Sequence, residues 1–172
     1  MQTETRWVRY TWDLQSLDLT LRLPDAFDFR PIAPTQVNEV IEVVLSAFKS
    51  DPTWQPLITD IKRRLPERIA VTLGTKGSTY IGALQCDKLV GVTGVAAAHW
   101  SGQNLLTGIC VLPAYQRKGL GKSLLGISLL VLRAAGRSQA RVYTAANSRA
   151  DQKLYPLFEA VREENVQYPS LG

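Results

Sequence analysis

From Val111 to Lys122 the chain reads Val111-Leu112-Pro113-Ala114-Tyr115-Gln116-Arg117-Lys118-Gly119-Leu120-Gly121-Lys122. This stretch has the residue types and spacing for ligand chemistry. An apolar run ends at a proline, two glycines follow one residue apart, and a long apolar pattern then begins. Glycine lets the backbone bend sharply and lets a ligand approach without a Cβ in the way. The first N–H groups of a helix have no intrahelical partner and sit at the positive end of its dipole. Gln116 to Lys122 therefore read as a nest of donors for a phosphate or pyrophosphate, with Arg117, Lys118 and Lys122 adding charge. Two familiar phosphate motifs are one residue short. A Walker A loop needs glycine where Gln116 stands, and a dinucleotide fingerprint needs glycine where Leu124 stands.

The charge of the chain gathers around this loop. The whole chain carries +5, with 20 basic and 15 acidic residues, yet residues 111–153 alone carry +7. Such an excess suits a polyanionic ligand. It equally suits a solvated basic face. A nucleic-acid reader is a weak reading, because only Tyr115 and Tyr143 interleave the basic residues and no reader motif is present.

The elements that must position the loop follow from periodicity. Arg6 to Leu23 alternate loosely around a break at Asp13 to Ser16 and read as a hairpin or two edge strands. Phe27 to Arg30 form a short strand, and Thr35 caps a helix through Phe48. A second helix covers Leu57 to Leu65 and resumes after Pro66. Thr79 to Gln85 and Leu89 to Ala98 form a hairpin, and Asn104 to Leu112 form a third strand, ended by Pro113. A helix from about Gly119 to Ala135, a strand from Ala140 to Thr144 and a last helix from about Ser148 to Val161 complete the order. A meander of strands followed by a β-loop-α-β-α unit implies an α/β (α+β) mixed sheet with helices on both faces.

Composition bounds the rest. At 172 residues, 45% of them hydrophobic and 20% charged, the chain reads as one ordinary globular domain over residues 1–172, with 1–26 as extra N-terminal strands. No apolar stretch approaches a membrane span, and the first residues lack a secretory pattern, so a cytoplasmic protein is expected. Two cysteines and one histidine give no support to a disulfide scaffold or a zinc site, so no metal is expected.

The segment Gln116-Arg117-Lys118-Gly119-Leu120-Gly121 resembles the Gln/Arg-x-x-Gly-x-Gly/Ala pyrophosphate loop of the GNAT superfamily of N-acetyltransferases. Downstream, Val142 to Ala150 is similar to that family's next strand and its Asn-x-x-Ala helix start, and Leu154-Tyr155 matches the Leu-Tyr that follows. The resemblance covers about residues 104–160. It implies a GNAT-like, mostly antiparallel central sheet with a splayed parallel strand pair, and acetyl-CoA as co-substrate between the strands ending near Val111 and Ala145. Ile109, Cys110 and Val111 would pair with the pantetheine arm, and Gln116, Arg117, Lys118, Gly119, Leu120, Gly121 and Lys122 would hold the pyrophosphate. Asn147 would meet the arm, and Tyr155 would donate a proton to the departing thiolate. The implied activity is acetyl transfer to a primary amine of an unknown acceptor; the alternative is a CoA-binding regulatory domain without turnover.

The chain departs from the family pattern in three places. Many members follow this tyrosine with three residues and Gly-Phe; here the continuation is Pro156-Leu157-Phe158-Glu159-Ala160, so that Gly-Phe is absent and Pro156 follows Tyr155 directly. The strand before the loop, Asn104 to Gly108, has no carboxylate for a general base, and His99 is expected in a turn at the sheet end away from the thioester. Glu159 reads as a solvated helix residue, the basic patch at Ile61 to Leu65 as a solvated face, and Cys110 as inert packing. The four tryptophans read as core or edge packing. Glu39, Glu42, Asp51 and Asp60 are the acids that could greet a cationic acceptor. Only 17 residues follow Tyr155, so Asn165 to Tyr168 is expected to supply a strand, and a homodimer is expected to cover an exposed sheet edge.

Overall fold

The computed structural model describes residues 4–169. Seven strands and three α-helices follow the order β1 (Trp7–Asp13), β2 (Asp28–Pro31), α1 (Val37–Lys49), α2 (Ile58–Thr72), β3 (Ser78–Gln85), β4 (Lys88–Ala96), β5 (Cys110–Val111), α3 (Leu120–Ala134), β6 (Gln139–Ala145) and β7 (Val161–Val166). They build two antiparallel sheets, β2-β3-β4-β5 and β6-β1-β7. The fold is mixed α+β.

The β3–β4 hairpin turns through Cys86 and Asp87, both with positive φ (48° and 63°), as a tight two-residue hairpin turn requires. Alternation along this hairpin divides the core. Tyr80, Leu84, Leu89 and Val92 pack under α1 and α2, while Ile81, Ala83 and Val90 pack against Leu120 and Leu124 of α3. Helices therefore cover both faces of the sheet.

The N-terminal segment differs from the expected hairpin. Only Trp7–Asp13 pairs as a strand, and it lies in the middle of its sheet, between β6 and β7. Val8, Tyr10 and Trp12 point to the core with Leu125, Leu129 and Leu132 of α3. Leu17 and Leu19 are also buried there, but through an extended strap without strand pairing. Leu21 lies so close to α3 that a Cβ on Gly126 would come within 2.4 Å of it. Alternation marked the burial of Leu17 and Leu19 but not the exposure of Leu23, and it did not record who would pair with their backbone.

Other boundaries move for local reasons. The first α-helix starts at Val37, after a 3-10 turn at Pro34–Gln36, and Thr35 is not its cap. Helix α2 runs unbroken through Pro66. The carbonyl that Pro66 leaves without a donor belongs to Lys62, on an exposed face where water can serve it. The last helix shrinks to a single wide turn at Ala150–Leu154, because Pro156 cannot continue it; β7 begins where that helix was expected to end. The strand expected at Asn165 to Tyr168 is thus earlier, at Val161–Val166. Its edge sequence Val-Arg-Glu-Glu-Asn-Val carries three consecutive charges, which themselves discourage edge pairing. A bare edge is no longer an argument for a second subunit.

The strand expected at Asn104 to Leu112 is broken, with ladder pairing only at Cys110–Val111 and a bridge at Leu105. The break has a function in the architecture. Asn104 accepts from Ala96 N–H (2.9 Å) and donates to Arg141 C=O (2.8 Å), while its side chain donates to Ala96 C=O and accepts from Arg141 N–H. It thus clips the two sheets together. Beyond it no ladder joins residues 105–111 to residues 142–145, and the sheets part around a cleft of about 1150 Å³.

Candidate active site

The cleft is lined on one side by Leu105 to Val111 and on the other by Val142 to Thr144. At its mouth stands the entrance to α3. Gly119 is the N-cap in the left-handed conformation (φ 82°), and Arg117 before it has φ 64°. Only glycine adopts the first of these readily. The first intrahelical bond is Ser123 N–H to Gly119 C=O at 3.1 Å, so the amides of Leu120, Gly121 and Lys122 precede the ladder and have no intrahelical acceptor.

Gln116, Arg117, Gly119, Gly121 and Lys122 line the cleft, as do Ile109, Cys110 and Val111. Lys118 and Leu120 do not: Lys118 is exposed outside it, and the Leu120 side chain is buried beside Leu124. Gln116 donates through Nε2 to Val111 C=O at 3.2 Å. The Cys110 thiol turns away toward Thr107 C=O, and burial pushes its pKa up to about 12; it is a packing residue. Asn147 is not among the lining residues. It sits at positive φ (70°), donates its amide to Asp151 Oδ2 at 2.8 Å and accepts from the Thr53 hydroxyl, next to a separate shallow hollow with Arg162 and Glu164.

Tyr155 lies in the cleft wall and is 3% exposed. Its hydroxyl accepts from Ile109 N–H at 3.2 Å, and a Cβ on Gly108 (φ 69°) would lie 2.9 Å from that oxygen. Gly108 is the residue that lets the chain bend around the phenol. Burial raises the Tyr155 pKa above its ordinary value, with the Ile109 hydrogen bond working against that rise. Tyr10 (5.7 Å between centroids) and Trp12 (5.9 Å, edge-on) hold the ring from β1. Each is tied to the segment that carries Tyr155: Tyr10 donates to Asp151 Oδ1 at 2.5 Å, and Trp12 donates to Leu157 C=O at 2.9 Å.

Several cleft residues escaped the sequence reading. Arg149 donates to Gln116 Oε1 (3.1 Å), while its amide donates to Asp51 Oδ2 (2.9 Å), so it ties the phosphate-type loop to the loop after α1. Trp7, Trp54 and Trp100 line the cleft instead of merely packing the fold. Arg64 does so as well, out of a basic patch read as solvated, and Arg68 follows one turn later. The i, i+4 spacing of these arginines was the available signal. His99, in the turn where it was expected, also lines the cleft; its Nδ1 hydrogen-bonds Ser101 Oγ (2.7 Å) and accepts from Ser101 N–H. Burial, and then Arg68, lower the His99 pKa. Among the expected acids Asp51 and Asp60 line the cleft, and Glu39 and Glu42 do not; Glu159, read as solvated, is also outside it.

Comparison with known proteins follows this geometry. Residues 76–158 match the family model described as an acetyltransferase (GNAT) domain. No curated protein matches the chain in sequence. Among solved structures the chain is similar to a Drosophila protein (14% identity, TM-score 0.65, with 94% of this chain and 49% of that chain covered). It is similar as well to a GCN5-related N-acetyltransferase from Sphaerobacter thermophilus (18%, 0.62, 97% and 54%). A third is a GCN5-related N-acetyltransferase from Ralstonia eutropha JMP134 (14%, 0.59, 75% and 88%). The chain spans about half the length of the first two, and at these identities the likeness is one of fold. Residues 76–158 are thus similar to a GNAT acetyltransferase domain, and the chain shares the fold of these N-acetyltransferases.

Proposed function

We propose that this protein transfers the acetyl group of acetyl-CoA to a primary amine by direct attack on the thioester. The observation that carries the reading is that one cleft joins the Gly119 helix entrance, the parted sheets and the Tyr155 hydroxyl at the Gly108–Ile109 bend. In this reading the free amides of Leu120, Gly121 and Lys122, with Arg117 and Lys122, take the pyrophosphate. The exposed Lys118 adds long-range attraction only. Backbone groups of Ile109 to Val111 take the pantetheine arm as an added strand would. To admit it, Gln116 releases the Val111 carbonyl.

Tyr155 supplies the acid. Kept protonated by burial, it can give its proton to the departing sulfur as the new C–N bond forms and the C–S bond breaks. A backbone N–H of the same strand segment steadies the developing oxyanion. The test is thiol release from acetyl-CoA in the presence of a panel of primary amines. Amine-dependent release is expected. Donor binding without release for any amine would leave a CoA-binding module in place of an enzyme.

A further inference from the structure

Beyond the donor loop, the cleft is walled by aromatic rings. Trp7, Phe48, Trp54, Tyr143 and Tyr168 line it and touch one another. Trp7 stacks on Tyr168 at 4.3 Å between centroids and tilts against Trp54 at 5.9 Å, while Phe48 meets Trp54 edge-on at 5.0 Å. All five are only partly buried, so ring surface remains open to a ligand.

The free charges beside this wall are mostly positive. Of the lining acids Asp51, Asp60 and Glu67, only Glu67 lacks a side-chain hydrogen bond or ion pair among the described residues. Asp51 is spent on the amides of Thr53 and Arg149, and Asp60 is paired with Arg63. Arg64 and Arg68 face the same space, and neither forms an ion pair among the described residues. A guanidinium fork is matched to a carboxylate.

Position narrows the ligand further. Arg68 is anchored by a 3.2 Å bond to Leu106 C=O, three residues before Ile109, whose amide meets the Tyr155 hydroxyl. At most about 10–11 Å of chain separates Leu106 from Ile109, so a carboxylate on Arg68 and an amine near Ile109 belong to one compact acceptor.

We propose that the acceptor is an aromatic α-amino acid. Its ring lies on the Trp7–Trp54–Tyr168 wall, its carboxylate on Arg64 and Arg68, and its α-amine faces the acyl carbon. The amine forms the amide bond, the thioester C–S bond breaks, the thiolate takes the Tyr155 proton, and the proton shed by the amine returns through water to Tyr155. The inference rests on the acyl-transfer reading above, and the experiment separates the two.

The experiment first titrates the full chain with acetyl-CoA by calorimetry. It then measures thiol release with L-tryptophan and L-tyrosine, with tryptamine and tyramine, and with spermidine. The amino acids are expected to exceed their decarboxylated counterparts by about 10-fold or more in kcat/KM. Arg68→Gln is expected to bring that ratio close to one, a change that general damage to the fold would not produce because it lowers both rates alike. Trp54→Ala is expected to raise KM for both aromatic classes. Acetyl-CoA binding with tryptamine equal to tryptophan, with spermidine preferred, with no aromatic amino acid used, or with the ratio intact in Arg68→Gln overturns the acceptor assignment alone. Absence of acetyl-CoA binding overturns both readings.

Discussion

The Tyr155 phenol is gripped at its oxygen by the Ile109 amide and at its ring by Tyr10 and Trp12. Burial raises its pKa, so in the native state it stays protonated beyond the ordinary tyrosine value of about 10. Two outcomes follow at this scale. Tyr155→Phe should lower kcat by ~10²-fold with acetyl-CoA affinity nearly unchanged, since the ring that packs is kept and the acid is lost. The wild-type rate should show no descending limb from tyrosine ionisation below pH 10. A steady-state pH series on both proteins checks this, and wild-type turnover in the variant removes Tyr155 from the mechanism. The residue was legible in the sequence as the tyrosine of a Leu-Tyr pair. Its bed was not, because Tyr10 and Trp12 lie some 145 residues upstream and no local pattern reports such a contact.

At the scale of elements, strand β1 and the short turn at Ala150–Leu154 form one unit. Asp151 is the fastener: its carboxylate accepts from Tyr10, from Arg162 at 2.8 and 3.0 Å, and from Asn147 N–H. Burial works to raise its pKa, but the hydrogen bonds from Arg162, Tyr10 and Asn147 outweigh that and hold it below the ordinary carboxylate value. A carboxyl depressed in the folded state contributes stability above its unfolded pKa of about 4 and loses it as pH falls through the lower folded value. Asp151→Asn should therefore cost about 2–3 kcal/mol at pH 7, less than a fully buried pair because Arg162 is one-third exposed. The penalty should shrink below pH 4. Urea titrations at pH 7 and pH 3 measure it; an equal loss at both values would place the effect in packing and not in charge. The helices, the β3–β4 hairpin and β6 were legible here because each is long and periodic. The central place of β1 was not, since alternation marks a strand and is silent about its neighbours. The last helix was lost to Pro156, whose position directly after Tyr155 was visible and whose effect was underweighted.

At the scale of the molecule, two sheets clipped at Asn104 part to make the cleft, and four of the basic residues of 111–153, Arg117, Lys122, Arg149 and Lys153, line it. The loop and its chemistry were readable because they are contiguous. The aromatic and arginine wall was not, because it is assembled from β1, α1, the loop after α1, α2, β6 and Tyr168, each contributing one or two residues. Everything in the account depends on that cleft taking a pyrophosphate at the α3 entrance. Aspartate bears the left-handed conformation better than most residues other than glycine, so Gly119→Asp, its folding checked by circular dichroism because the positive φ strains it, adds a negative charge where the anion must sit. Calorimetry with acetyl-CoA on the wild type and on Gly119→Asp is the direct measurement. The account predicts saturable one-to-one binding by the wild type and a loss of about 30-fold or more in the variant. No binding by the wild type, or equal binding by both, would contradict it.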